Sequence, residues 1–224
     1  MLHHIINEKN ISLLENQKQN QILEELHDFS TEKKISIPSA SSLSYLIILD
    51  SSSADIEIIH SESHTNSSIY AIVFSEPEKK SKLSLQSTIK ASHCTSTIHI
   101  ISVGTNHSDL DIKAGITIEK DIEKGEGHLT EDNLILGKKV KIKSLPLLDI
   151  QSNDVKASHG AKIHQFDPSK IFYMTSKGLS KKQAEKLLLE GIITNAFENF
   201  SPENNETLSN LKDKILAQLL KNSE

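Results

Sequence analysis

Three regimes of hydrophobic patterning follow one another along the chain. Over residues 1–43 apolar positions are sparse and mixed with polar ones. Leu14, Ile22, Leu26 and Phe29 fall on one side of a helix drawn across residues 11–29. The Asn and Gln between them are weak helix formers, so this region reads as a helical or irregular N-terminal segment. A Ser-rich loop around Pro38 follows it.

Over residues 44–165 the period shortens to that of strands. YLIIL from Tyr45, DIEII from Asp55, IYAIVF from Ile69, KLSLQSTI from Lys82 and TIHIISV from Thr97 alternate or form short apolar runs. LDIKAGITI, LIL, VKIK, PLLDI and DVKA continue the series, with Ser, Thr, Asn and Asp between segments. Strands recurring roughly every 10–15 residues with no helical pattern between them exclude a βαβ fold and leave a sandwich, a barrel or a β-solenoid. The chain has only eight Gly, and neither Asn-Gly nor Asp-Gly occurs. Tight two-residue hairpins favour those dipeptides, so the Gly-poor corners favour a parallel solenoid.

Over residues 166–224 the period is helical again. Asp167 before Pro168 is an N-cap followed by Pro at the first helical position, and this helix ends at Gly178. Ser180 with Gln183 forms a capping box for a second helix whose apolar face is Ala184, Leu187, Leu188, Ile192, Ala196 and Phe200. Ser201-Pro202 starts a third, striped by Leu208, Leu211, Ile215 and Leu219. The expected fold is mainly β with α: a solenoid core and a C-terminal helical domain whose apolar faces need a surface to cover.

Composition narrows the chemistry. All 25 basic residues are Lys, the net charge is -5, and there is one Cys. Without Arg there is no bidentate fork for phosphate, and an acidic chain is not a general nucleic-acid binder. A lone Cys94 excludes a disulfide scaffold and any cluster site built from the chain's own thiolates. No apolar run is long enough to span a bilayer, and no secretory signal is read in MLHHIINEKN, which points to the cytoplasm. GxSxG, HExxH, a Walker A loop and CxxC are all absent, and no acid–base pair stands out, so the chain is not expected to be an enzyme. His3 and His4 read as terminal, and His60, His64 and His107 as solvated turn residues. His93, Cys94 and His99 lie close together, with His93 and His99 on one face of a strand. A zinc or iron site there would make the chain a metal-binding enzyme; the competing reading is a buried Cys94 beside a polar strand face.

The stretch from Asp154 to Phe197 carries the most information. It reads as a last strand, a turn at His159-Gly160, a short strand and two capped helices. Its Asp154-Val155-Lys156, Ser158-His159-Gly160-Ala161, Asp167, Phe172-Tyr173, Ser176, Gly178, Ala184 and Ala196-Phe197 resemble the SufB/SufD family of iron–sulfur cluster assembly scaffolds. SLPLLDI from Ser144 and NLIL from Asn133 resemble the family's preceding strands. The resemblance is specific over residues 126–200 and architectural over 44–125. The family's Arg after Ser176 is Lys177 here, which keeps the charge and loses the fork. Gly160 follows His159 and no Cys lies within residues 126–150, which resembles the SufD type rather than the SufB type. Family members are usually longer.

What the resemblance implies is a right-handed parallel β-helix followed by helices that bind the ATPase SufC. The β-helix would pair with SufB or with a second copy. An iron–sulfur cluster would form transiently at that interface, with none expected in the isolated chain. His159 becomes the cluster-site candidate, since neutral imidazole is an iron ligand. Phe172, Tyr173, Ser176, Lys177 and Gly178 become the docking candidates, with Phe172 and Tyr173 expected to pin the helix to the β body rather than to contact the partner directly. A third reading is a β-solenoid interaction protein with no cluster role.

Overall fold

The computed structural model describes residues 2–8, 18–201 and 206–223. Among the described residues twelve strands precede three helices. The strands are β1 (Leu2–Ile6), β2 (Gln19–His27), β3 (Ser30–Ser36), β4 (Ser42–Asp50), β5 (Ser53–His60), β6 (Asn66–Phe74), β7 (Lys80–Ile89), β8 (Thr95–Gly104), β9 (Asp109–Ile118), β10 (Glu123–Ile135), β11 (Lys141–Ile150) and β12 (Asp154–His164). The helices are α1 (Pro168–Ser176), α2 (Lys181–Phe200) and α3 (Glu206–Asn222).

From β2 onward successive strands alternate between two sheets. One sheet runs β1-β2-β4-β6-β8-β10-β12 and the other β11-β9-β7-β5-β3. Every pairing is parallel. From β2 onward each strand therefore pairs with the one two places along, the connectivity that a parallel β-helix requires, while β1 pairs with β2. Register partners drift further apart in sequence along the stack, from Ser42↔Asn66 to Asn66↔Thr95 to Thr95↔Glu126. That drift removes any fixed repeat from the sequence.

The turns bear out the argument from scarce Gly. Non-Gly residues with left-handed backbones serve them, among them Asp28, Ser51, His64, His93, His107, Asp121 and Lys139. Asn, Asp and His tolerate this region better than most side chains.

Two apolar layers hold the body. Between the sheets lie Ile22, Leu26, Tyr45, Ile47, Ile56, Ile58, Leu83, Leu85, Ile98, Ile112, Ala114 and Leu129, with their neighbours. A second layer lies outside the seven-stranded sheet. There Leu23, Leu46, Ile48, Ile72, Phe74, Val103 and Leu134 meet Leu189, Ile193, Phe197 and Phe200 of α2 and Leu208, Leu211, Ile215 and Leu219 of α3. The third-helix stripe is thus buried as its spacing predicts; Pro202 lies outside the described residues. The α2 face is rotated from the predicted one: Leu189 and Ile193 are buried, while Leu187 is 47% exposed. Polar ties complete the seam, with Gln218 Nε2 donating to Asp50 Oδ2 at 2.7 Å. The backbone N–H of Asn106 donates to the carbonyl of Asn222 at 3.2 Å.

Four local expectations are corrected. The stripe read as a helix within residues 11–29 is strand β2 from Gln19; Leu14 lies outside the described residues. Ile22 and Leu26 face the inner core while Leu23 faces the helices, a division of faces that only a strand makes. VKIK and PLLDI are not two strands but lie along β11. His159 and Gly160 are not a turn but lie inside β12. His60 is not solvated: it is fully buried, bonded to Thr65 at 2.8 Å and Ser67 at 2.9 Å. Burial pushes its imidazole down to about 4, so it is neutral at physiological pH.

Candidate functional site

The two sheets end together, with β12 outermost on one and β11 outermost on the other. Alternation divides the side chains of β12. Lys156, Ser158 and Lys162 pair outward with β10: Lys156 Nζ to Glu126 at 2.8 Å, His128 Nδ1 with Ser158 Oγ at 2.8 Å, and Lys162 Nζ to Asp132 at 2.9 Å. Val155, Ala157, His159, Ala161 and Ile163 take the opposite face. They stand in register with Gly125, Gly127, Leu129, Glu131 and Asn133 of β10. Leu129 belongs to the inner core, so His159 lies on the inner face of β12, the strand that ends its sheet among the described residues. It is exposed and has no hydrogen-bond partner among the described residues.

Beneath β12 lies a polar group that the sequence reading did not single out. Glu131 is 2% exposed and faces inward, its Oε2 accepting from the Ser144 hydroxyl of β11. Its Oε1 is buried and has no hydrogen-bond partner among the described residues. Burial raises the Glu131 carboxyl above its ordinary range, opposed by the Ser144 hydroxyl and by the charge of His159. Asn133, one rung along, is saturated: it accepts from Ser102 Oγ at 2.6 Å and donates to the carbonyl of Lys162 at 3.0 Å. The signal for Glu131 was present in the sequence. In Leu129-x-Glu131-x-Asn133 the strand period places a carboxylate on the apolar face.

The second candidate group is α1. The Asp167 side chain accepts from the Ser169 N–H at 2.8 Å, Pro168 opens the helix, and Gly178 leaves it at φ +96°, as the cap signals predict. The helix buries no residue. Phe172 is 74% and Tyr173 63% exposed, which excludes packing against the body as their main role. Lys177 Nζ stands 5.5 Å from the centroid of the Tyr173 ring, within cation–π range. The Ser176 hydroxyl turns back to the carbonyl of Tyr173 at 2.7 Å. A groove of about 790 Å³ runs beside Phe172 between α1, Lys138 and Glu185. Tyr173 and Lys177 thus form one exposed aromatic and cationic pair, and Phe172 stands exposed beside the groove.

His93, Cys94 and His99 are not brought together. His93 sits in the turn before β8 and stacks on His64 at 4.7 Å. Cys94 is fully buried in the inner core, where the Thr65 hydroxyl donates to its sulfur at 3.1 Å. His99 lies on the outer face of β8, stacked on Tyr70 at 5.4 Å and bonded to Thr130 at 2.6 Å. Among the described residues no group of three or more His, Cys, Asp or Glu is arranged to hold a metal ion. His3 and His4 belong to β1, and His4 bonds Glu25 at 2.7 Å. No helix among the described residues is long and apolar enough to cross a membrane.

Comparison with known proteins agrees with this geometry. The family described as SUF system FeS cluster assembly, SufBD core domain, matches residues 33–192, from β3 through most of α2. The chain is similar to the iron–sulfur cluster assembly protein SufD of Escherichia coli, 30% identical over 104 residues, which are 46% of this chain and 23% of that protein. It is also similar to SufD of Bacillus subtilis, 32% identical over 76 residues, covering 34% of this chain and 17% of that one. A SufBD family protein of Synechocystis is 41% identical over 58 residues, covering 26% and 13%. The aligned stretches therefore span less than a quarter of these relatives' lengths. With its parallel strands, its C-terminal helices and a match running through most of its length, the chain belongs to the SufB/SufD family of iron–sulfur cluster assembly proteins.

Proposed function

We propose that the chain is a non-catalytic scaffold subunit of a SUF iron–sulfur cluster assembly complex. In this reading α1 and its neighbours bind a SufC-type ATPase. The open end of the β stack pairs with a SufB-type scaffold or with a second copy. The cluster is the cargo, formed transiently at that pairing surface, with His159 as this chain's contribution.

The observation that carries the reading is His159 itself: exposed, without a hydrogen-bond partner among the described residues, on the inner face of a strand that ends its sheet. An edge strand of this length offers a row of backbone donors and acceptors to another chain. Ile163 on β12 is 50% exposed, and Leu145 and Leu147 on β11 are 43% and 38% exposed, which adds apolar area to the same end. The exposed aromatic pair on α1 supports a separate docking surface for the ATPase, because Phe and Tyr are enriched at interfaces. The single Cys is buried in the core, so thiolate for a cluster would come from the partner.

The test is native mass spectrometry of the complex formed when the chain is co-expressed with a SufC-type ATPase and a SufB-type scaffold. The reading expects one assembly containing all three chains. It also expects Ile163→Lys, a charge on the open inner edge, to release the scaffold partner while the ATPase stays bound. A chain that elutes without either partner would refute it. Removing residues 166–224 is not a usable test, since α2 and α3 cover the apolar outer face of the seven-stranded sheet.

A further inference from the structure

Among the described residues four carboxylates are buried: Glu24, Glu25, Asp50 and Glu131. Three of them have cationic or protonatable partners. Glu24 pairs with Lys33 and accepts from the Tyr45 hydroxyl. Glu25 meets His4, His27 and Lys214. Asp50 meets His27 at 3.6 Å. Glu131 has no ion pair among the described residues, only the Ser144 hydroxyl on one oxygen and nothing on the other. A buried carboxylate oxygen without a donor or cation is costly to keep. Glu24 and Glu131 both point between the sheets, one near each end of the stack, and only the one at the open end is left incomplete.

Its surroundings point to what completes it. Ala161 is the β12 residue directly opposite Glu131, and His159 stands one inward-facing position away on the same strand. Glu131 thus has a methyl group across from it and an unpartnered imidazole beside that. Carboxylate and imidazole together suit iron(II) and similar divalent ions. Two groups cannot fill a coordination sphere, in keeping with the lack of any three-group cluster among the described residues.

We propose that Glu131 Oε1 and the His159 ring form a two-ligand half-site for a divalent transition metal ion, iron(II) by its chemistry, whose remaining ligands come from the chain that pairs with this end. This rests on the reading of His159 as a cluster-site residue and adds a second ligand to it. Glu131 is then the group that retains an incoming iron ion on this subunit before sulfide or thiolate is supplied.

The test is an anaerobic titration of the purified full-length chain with cobalt(II), followed by its visible absorption and by calorimetry. The same titration is run on Glu131→Gln, Glu131→Asp and His159→Ala, with thermal unfolding as the fold control. The wild type is expected to bind one cobalt that both Glu131→Gln and His159→Ala weaken by at least about tenfold. Glu131→Asp keeps the charge one methylene further back and is expected to fall between, which preserves the test if Glu131→Gln does not fold. Wild-type affinity in Glu131→Gln or in Glu131→Asp overturns the inference, and so does a wild-type chain that binds no cobalt. Loss of binding in His159→Ala with full binding in Glu131→Gln removes Glu131 alone and leaves the His159 reading standing.

Discussion

Substituting Phe172 by Ala separates a docking role from a packing role, because the two give opposite results. Full burial of a Phe side chain is worth about 1.5–3 kcal/mol. Phe172 keeps 74% of its surface exposed and α1 buries no residue, so the packing at stake is small. Scaling by the buried fraction gives a loss of roughly 0.4–0.8 kcal/mol. Ala is the better helix former by up to ~0.7 kcal/mol, which offsets most of it. The melting temperature is therefore expected to move by no more than about 2 °C. A central aromatic at an interface behaves differently: truncation costs about 2 kcal/mol or more, roughly a 30-fold loss of affinity. Tyr173→Ala is expected to act in the same direction, since its ring is 63% exposed and loses its contact with Lys177. The assay is calorimetric titration of the SufC-type ATPase into each variant, alongside thermal unfolding. Affinity within twofold of wild type for both variants would refute the docking argument. A fall of more than about 5 °C in melting temperature would show instead that these rings hold the body together.

The other predictions concern the body. Lys33→Met leaves Glu24 buried and unpaired beside Tyr45 and is expected to cost about 3–5 kcal/mol in denaturant unfolding, while Lys33→Met with Glu24→Leu recovers most of it; equal losses in the single and the double variant would contradict the ion-pair account. His27 lies on the outer face of β2 among Asp50 of β4, Glu25 of its own strand, His4 of β1 and Lys214 of α3. Its hydrogen bonds to Asp50 and then to Glu25 push its imidazole up to about 9. A raised pKa stabilises fully below the unfolded value near 6.5 and is lost as pH rises through 9, by up to about 3 kcal/mol. His27→Gln is therefore expected to flatten the stability profile between pH 6.5 and 9; an unchanged slope in urea unfolding across that window would contradict it.

The two sheets differ in how plainly they were written in the sequence. The five-stranded sheet has one solvent face, so β7 alternates cleanly and is found by period alone; β3 alternates as cleanly but falls in the N-terminal segment read as helical or irregular. The seven-stranded sheet is covered on both faces over β4 and β6. Tyr45–Leu49 and Ala71–Phe74 therefore read as continuous apolar runs whose face assignment needs the helices. β2 was missed because Glu24 and Glu25 are buried there, and their partners Lys33, Tyr45 and Lys214 lie on other elements. Polar residues in a row predict exposure unless the partners are known.

The caps of α1 and α2 were legible because each is set by residues within one turn of the helix end. His159-Gly160 was misread as a turn because Gly is a turn signal. In β12 the outward position of Gly160 is open, and an added Cβ would meet nothing within 4 Å. Glu131 stayed hidden because its meaning depends on what stands across the sheets, not on its own segment.

The central claim is that this chain supplies His159 to a cluster held between subunits. The direct test is anaerobic reconstitution of the co-expressed complex with iron and sulfide, reading the bound cluster by visible absorption and Mössbauer spectroscopy, with His159→Ala beside wild type. The account predicts that His159→Ala leaves the subunit content and the melting temperature unchanged, because the ring is exposed and has no hydrogen-bond partner among the described residues, yet lowers cluster yield severalfold. A His159→Ala complex that assembles the wild-type amount of cluster, with the same spectrum, would contradict it.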